Sequence, residues 1–256
     1  MGNNNGKYLS TFTLKIIAIL TMTIDHIGAI LGAEGYGGIL SYDTYMILRT
    51  IGRLAFPIFC YLIVEGYFHT RSVKKYAVRL FVFTIISQLP YNLAIKGDMS
   101  KFYTLNIFFT LLLGLILIWI IDTLIKKIHL SESKPHQSEL LPYIFATLAI
   151  FYAVDNFVPI DYDVYGLLLI LVFYFFRAKE ETLENPDAGT KAVLMQFIAM
   201  GIITFLFSSG IQIYSLFALI PIAMHNHKKG KGLKYFFYMY YPLHLLIIYF
   251  IGKALF

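Results

Sequence analysis

Apolar runs of about twenty residues recur along the whole chain, separated by short polar stretches, and that is the length a helix needs to cross the hydrocarbon core of a bilayer. The runs predict about nine spans, near 12–32, 45–68, 76–95, 103–125, 141–157, 163–177, 192–208, 210–224 and 235–255. The fifth, sixth and eighth, at about fifteen to seventeen residues, are expected to be tilted, broken or re-entrant. The segments 129–139 and 178–191 read as polar loops. The expected fold class is therefore all-α, a polytopic helical membrane protein, with residues 1–256 as one integral-membrane domain. The first run is too long for a cleavable signal peptide and lacks a small-residue cleavage site followed by a soluble domain.

Composition agrees. The chain is 58% hydrophobic and 14% charged, with a mean hydropathy of +0.68, whereas soluble domains sit near half apolar and a quarter charged. The net charge of +6 lies in the loops, which argues against a nucleic-acid partner. Those loops alternate: one set carries Arg71, Lys74 and Lys75, then Lys126 and Lys127, then Lys228, Lys229 and Lys231, while the other carries Glu34, Asp43, Asp98, Asp155 and Asp161. The positive-inside rule then places the N-terminus in the cytoplasm and the C-terminus outside. A single cysteine, Cys60, excludes an intrachain disulfide and a multi-cysteine metal site. It lies among apolar neighbours and reads as an inert thiol.

Ionisable groups at bilayer depth are costly and hence functional candidates. The first span carries Lys15, Asp25 and His26. Eleven steps of a helix bring Lys15 and His26 to the same face, about 16 Å apart along the axis, a separation suited to a long ligand with an anionic end and a reactive tip. Span two carries Arg49, Arg53, Pro57 and Glu65. Arg49 and Arg53 share a face, and Pro57 releases the carbonyl of Arg53 and invites a kink there. Two guanidiniums beside a kink can hold a phosphate or carboxylate, or polarise a carbonyl. If spans one and two are antiparallel neighbours, Asp25 and His26 lie level with Arg53, and Lys15 lies level with Glu65, so two ion-pair levels are expected between them.

The last span places His244 near the midplane behind Pro242 and a run of tyrosines. His69 falls at the basic mouth of span two. Arg79 extends the RSVKKYAVR cluster and reads either as positive-inside charge or as a contact to a nucleotide phosphate. His225 and His227, two apart in a basic loop, are too few for a metal site, so no metal is expected. Asn92 and Asn106 read as helix caps.

The stretches LKIIAILTMTIDHIGAILG, LRTIGRLAFPIFCYLIVEGYFHTRSVKKYAVRLFVFTIISQLPYNL and KYFFYMYYPLHLL resemble the TraX family, named for a conjugation protein that acetylates the N-terminus of F-type pilin. The basic residue, ten positions and then histidine also resemble a wider group of membrane acyltransferases acting on cell-envelope glycans. By that resemblance Lys15 is the cation on the side of the acyl donor, acetyl-coenzyme A, and His26 the catalytic base. Arg49, Arg53 and Glu65 match the family's span-two pattern. The chain has Lys rather than Arg at the basic position, and an ammonium cannot make the guanidinium's bidentate fork.

The expected function is a membrane acetyltransferase moving acetyl from cytoplasmic acetyl-coenzyme A to an amine, such as that of a membrane-inserted peptide. In it His26, Asp25, Arg53 and His244 serve chemistry, and Lys15, Arg49, Glu65, His69 and Arg79 serve the donor. Two rivals are an O-acetyltransferase of an envelope glycan or lipid and a non-enzymatic transporter or assembly factor. The first prediction concerns topology: with Cys60 replaced, single cysteines at Ser41 and Asp161 should react with an impermeant maleimide on whole cells, and those at Ser72 and Lys229 should not. The opposite pattern would invert the helix carrying Lys15 and His26.

Overall fold

Three serines set where the first helices begin. Ser10, Ser41 and Ser72 have extended backbones, and each hydroxyl accepts a hydrogen bond from the amide three residues on, which satisfies a donor the first helical turn would leave open. The computed structural model describes residues 8–32, 38–96, 104–131, 159–177, 186–208 and 210–255, with isolated positions between 145 and 156. Its helices are α1 (Thr11–Leu31), α2 (Tyr42–Gly52), α3 (Ala55–His69), α4 (Val73–Tyr91), α5 (Ile107–Ser131), α6 (Asp163–Phe175), α7 (Pro186–Phe207), α8 (Leu219–Ala223) and α9 (Lys234–Leu255). A π-helical turn, Asn92–Lys96, extends α4, and a 3₁₀ stretch, Gly210–Ala218, leads into α8.

Among the described residues, six helical stretches are long and apolar enough to cross a membrane: Thr11–Leu31, Tyr42–His69, Val73–Ile95, Ile107–Lys127, Gly189–Phe207 and Tyr235–Leu255. That is the architecture of a multi-pass membrane protein, with fewer full-length spans than the nine expected. Two of the short runs appear as short apolar helices, Asp163–Phe175 and Gly210–Ala223. The first begins only after Tyr162, whose φ of 65° cannot continue a helix backwards. Most of the second is wound as 3₁₀. The run at 141–157 lies outside the described residues apart from isolated positions.

Span two is broken, as its proline predicts: α2 ends at Gly52, α3 starts at Ala55, and Arg53 and Leu54 form a turn between them. Helix α1 packs against α2, α3 and α9, so it sits inside the bundle. The join to α2–α3 is ionic. Asp25 Oδ2 accepts from Arg49 Nη1 at 2.6 Å and Asp25 Oδ1 from Arg53 Nη2 at 2.5 Å. Arg53 Nε also donates to the Arg49 carbonyl at 3.1 Å and Arg53 Nη1 to Gln212 at 3.2 Å. The turn therefore presents the guanidinium of Arg53 inward, and Gln212 ties the 3₁₀ stretch to it. The backbones can come this close because position 52 is glycine: a Cβ there would overlap the Asp25 side chain.

Two chain crossings close the ends of the bundle. Leu9 and Thr11 pair with the loop at Met224–Lys228 (Leu9 N to Met224 O 3.0 Å, Thr11 N to Lys228 O 2.8 Å), and Leu105 pairs with Pro159 and Asp161. At the second crossing, Asn106 Nδ2 donates to the Thr84 carbonyl and to Gln88 Oε1, each at 2.8 Å, while its Oδ1 accepts from Phe108 N. Asn106 caps α5, as expected, and also anchors it to α4.

Two substitutions test this core. Gly52→Ala should cost about 1–3 kcal/mol by overpacking. Asp25→Ala, which strands the buried guanidinium of Arg53 and the partly buried one of Arg49, should cost about 3–5 kcal/mol. Unfolding in detergent measures both, and wild-type stability in Asp25→Ala would remove the triad from the account of the fold.

Candidate functional site

The histidines of the first and last spans meet. His26 Nδ1 lies 2.6 Å from His244 Nε2, with the rings stacked at 22° and centroids 4.9 Å apart. His244 Nδ1 lies 2.9 Å from the carbonyl oxygen of Tyr240. A carbonyl only accepts, so His244 carries its proton on Nδ1 and, when neutral, offers a lone pair on Nε2. His26 must then donate from Nδ1, which leaves Nε2 as its basic nitrogen. His244 is 5% exposed and closed in behind, while His26 is half-buried and lines a cavity of about 230 Å³ with Asp25, Arg49, Arg53, Tyr162 and Tyr241.

The sequence spacing brings Asp25, His26 and Arg53 to one level, and the structure puts all three around this cavity. Arg49, expected to hold a phosphate or reach the outer surface, instead completes the clamp on Asp25. Asp25 accepts from two arginines and is not turned toward His26 as an orienting carboxylate; His244 does that.

The sequence puts Tyr162 in an acidic loop, and the structure brings it to the wall of this cavity. Its ring stacks on Phe56 with centroids 3.7 Å apart, and both it and Asp163 are left-handed, at φ 65° and 43°. Two such non-glycine residues in succession are strained and are held by the Leu105–Ile160 crossing and by Thr110 donating to the Asp161 carbonyl. Burial pushes the phenol's pKa up, so near neutral pH the hydroxyl keeps its proton and can donate. No periodicity or motif marks Tyr162 in the sequence.

A second cavity, of about 880 Å³, adjoins the first. Its rim carries Lys15, Arg71, Lys75, Arg79 and Lys229, with His69 beside them. Lys15 lies 5.3 Å from the Phe237 ring centroid, and Arg79 lies 5.6 Å from that of Tyr76. The first chain crossing brings Lys229 to the start of α1. The two cavities share Met22, Phe59, Ile107 and Tyr241. A basic chamber thus abuts the histidine chamber across these four side chains, with Lys15 lining the first and His26 the second.

Glu65 corrects an expectation. It does not pair with Lys15. Its Oε1 accepts from Arg177 Nε at 2.7 Å, and its Oε2 lies 3.2 Å from His227 Nδ1 and 3.4 Å from His69 Nε2. Helical phase alone could not show this, because Arg177 and His227 come from segments distant in the chain. Glu65, His225 and His227 are also the group with metal-type donors among the described residues. The arrangement is poor for a cation. Arg177 already neutralises Glu65, His225 uses both ring nitrogens on Thr11 and Tyr61 at 3.1 and 2.8 Å, and the basic rim repels a metal ion. Burial foremost, then His227, pushes the His225 pKa down to about 4, so His225 is neutral and adds no charge to the rim. The cluster instead pins the 225–229 loop against α3, which places Lys229.

Comparison with known proteins agrees with the motifs. The chain is 30% identical to a probable fimbrial assembly protein, FimC, serogroup H1, of Dichelobacter nodosus, over 93% of this chain and 94% of that one. It is 34% identical to an uncharacterized protein, RP591, of Rickettsia prowazekii (strain Madrid E), over 40% of this chain and 33% of that one. No solved structure gives a significant match. The family model described as TraX protein matches residues 10–252, and with the IDHIG and GRLAFPIF segments now seen packed around one cavity, the chain belongs to the TraX family.

Proposed function

We propose that this protein is an acyltransferase that takes acetyl from acetyl-coenzyme A on the cytoplasmic side of a bacterial cytoplasmic membrane and passes it to an amine at or beyond that membrane. The observation that carries the reading is the adjoining pair of chambers: a basic, aromatic-walled space suited to a phosphate-bearing nucleotide and, across the residues they share, a histidine whose basic nitrogen is set by its neighbour. Lys15, Arg79 and Lys229 supply charge for the phosphates. His69 sits at the rim, while Glu65 holds the loop that carries Lys229. The relative named as a fimbrial assembly protein supports an acceptor of the pilus-subunit kind, with a free amine.

In this mechanism the amine lone pair attacks the thioester carbonyl carbon, and His26 Nε2 takes the proton from nitrogen. The oxyanion receives hydrogen bonds from the Tyr162 hydroxyl and from the remaining N–H groups of Arg53. On collapse the carbon–sulfur bond breaks, the thiolate takes the proton from His26, and an amide and the free thiol leave. His244 does not carry the proton; it holds the tautomer and orientation of His26. Asp25 holds Arg49 and Arg53 in place.

The test uses purified protein in nanodiscs, radiolabelled acetyl-coenzyme A and the membrane fraction of the producing cells as acceptor. Label should enter that fraction and survive mild alkali, as an amide does and an ester does not. His26→Ala should lower kcat by about 10²–10⁴-fold, the range for loss of a general base. Unchanged turnover in the folded variant would refute the assignment. Lys15→Ala should raise KM for acetyl-coenzyme A more than it lowers kcat. A fall in kcat alone would move Lys15 out of the donor site. His244→Phe should cost roughly 10–100-fold, the value of one charge-assisted hydrogen bond. His244→Gln, which keeps an acceptor for His26 Nδ1, should recover part of that, and equal loss in both would remove the tautomer argument.

A further inference from the structure

Met22, Phe59, Ile107 and Tyr241 line both chambers, so an acyl group moving from one to the other must pass between them as a collar. We infer that Met22, Phe59, Ile107 and Tyr241 select short acyl chains, admitting acetyl and excluding chains of about six carbons; this rests on the thioester reading proposed above. The argument is one of space and polarity. A nucleophile must come within hydrogen-bond reach of His26 Nε2, about 3 Å, and the carbonyl carbon must meet it there. The acyl chain therefore projects into the histidine chamber and not back into the nucleotide chamber.

That chamber has about 230 Å³ and is open on part of its surface, so the limit on chain length comes from its polar wall and from the acceptor that must share it. Its far wall is polar: Asp25 with Arg49 and Arg53. A longer chain would lay methylenes against these charges, displacing their water without apolar contact in return. Widening is resisted on one side. Tyr241 is 4% exposed, meets Phe108 edge-on with centroids 5.2 Å apart, and packs on both His26 and His244. Phe59, on α3, is partly buried and packs against the hydrophobic core. It is therefore the collar residue whose truncation opens space with least disturbance to the histidines.

Calorimetry on the protein in nanodiscs, with coenzyme A and its acetyl, butyryl and hexanoyl thioesters, tests this without an acceptor. Affinity should fall at least about tenfold, 1.4 kcal/mol, from acetyl to hexanoyl. Phe59→Ala should recover most of that loss relative to its own acetyl affinity, and Ile107→Ala gives a second opening should the first variant fold poorly. Affinity that stays level or rises with chain length in the wild type would overturn the collar, as would truncations that fold and leave the ratio unchanged. If none of the four ligands binds, coenzyme A included, the donor reading itself fails and the collar with it; binding of coenzyme A with no dependence on chain length sinks the collar alone.

Discussion

One carboxylate holds this site together. Asp25 accepts from Arg49 and Arg53; Arg49 lies in the last turn of α2 and Arg53 in the turn between α2 and α3. The buried guanidinium of Arg53 without an anion would carry a large desolvation cost, so α1 and the α2–α3 turn must dock in one register. That register sets the next residue, His26, against His244 of α9. The glycine at position 52 is required by the same contact, since any side chain there would meet Asp25. The deep ion cluster is thus chiefly a registering device.

Charge elsewhere serves a different end. The rim of the larger chamber gathers basic residues from α1, the α3–α4 hairpin, α4 and the loop before α9. The loop is brought in by backbone pairing with the start of α1 and by Glu65, which engages Arg177 and His227. Glu65 therefore enlarges the positive field of the chamber although it is itself negative. It is already neutralised, and what it holds is a segment rich in lysine.

How much of this could be read from the chain follows from the range of each argument. The long apolar runs announce helices because lipid imposes their length, and the Pro57 kink follows from a missing amide. The level of Asp25 with Arg53 could be derived because both lie on consecutive spans of known depth. The pairing of His26 with His244 lies beyond such reasoning, because no spacing argument joins helices so far apart in sequence. The Lys15–Glu65 pair was expected from the same depth reasoning and was wrong, because Arg177 and His227, invisible to a two-helix argument, reach Glu65. Tyr162 could not be found at all, since its position depends on a loop crossing at Leu105 and Ile160 and on left-handed backbone that the residue type does not suggest. The short helices at 163–175 and 210–223 show where hydropathy stops discriminating between a full span and a buried partial one.

The central claim is that a nucleotide thioester enters at the basic chamber and presents its acyl end through the collar to His26. Its most direct test is an electron cryomicroscopy map of the protein in nanodiscs with a non-transferable thioether analogue of acetyl-coenzyme A. The account predicts phosphate density among Lys15, Arg79 and Lys229, sulfur-position density at the level of Phe59 and Ile107, and the acyl end facing His26 Nε2. Density for the analogue elsewhere, or reversed with its nucleotide beside Asp25 and Tyr162, would contradict it.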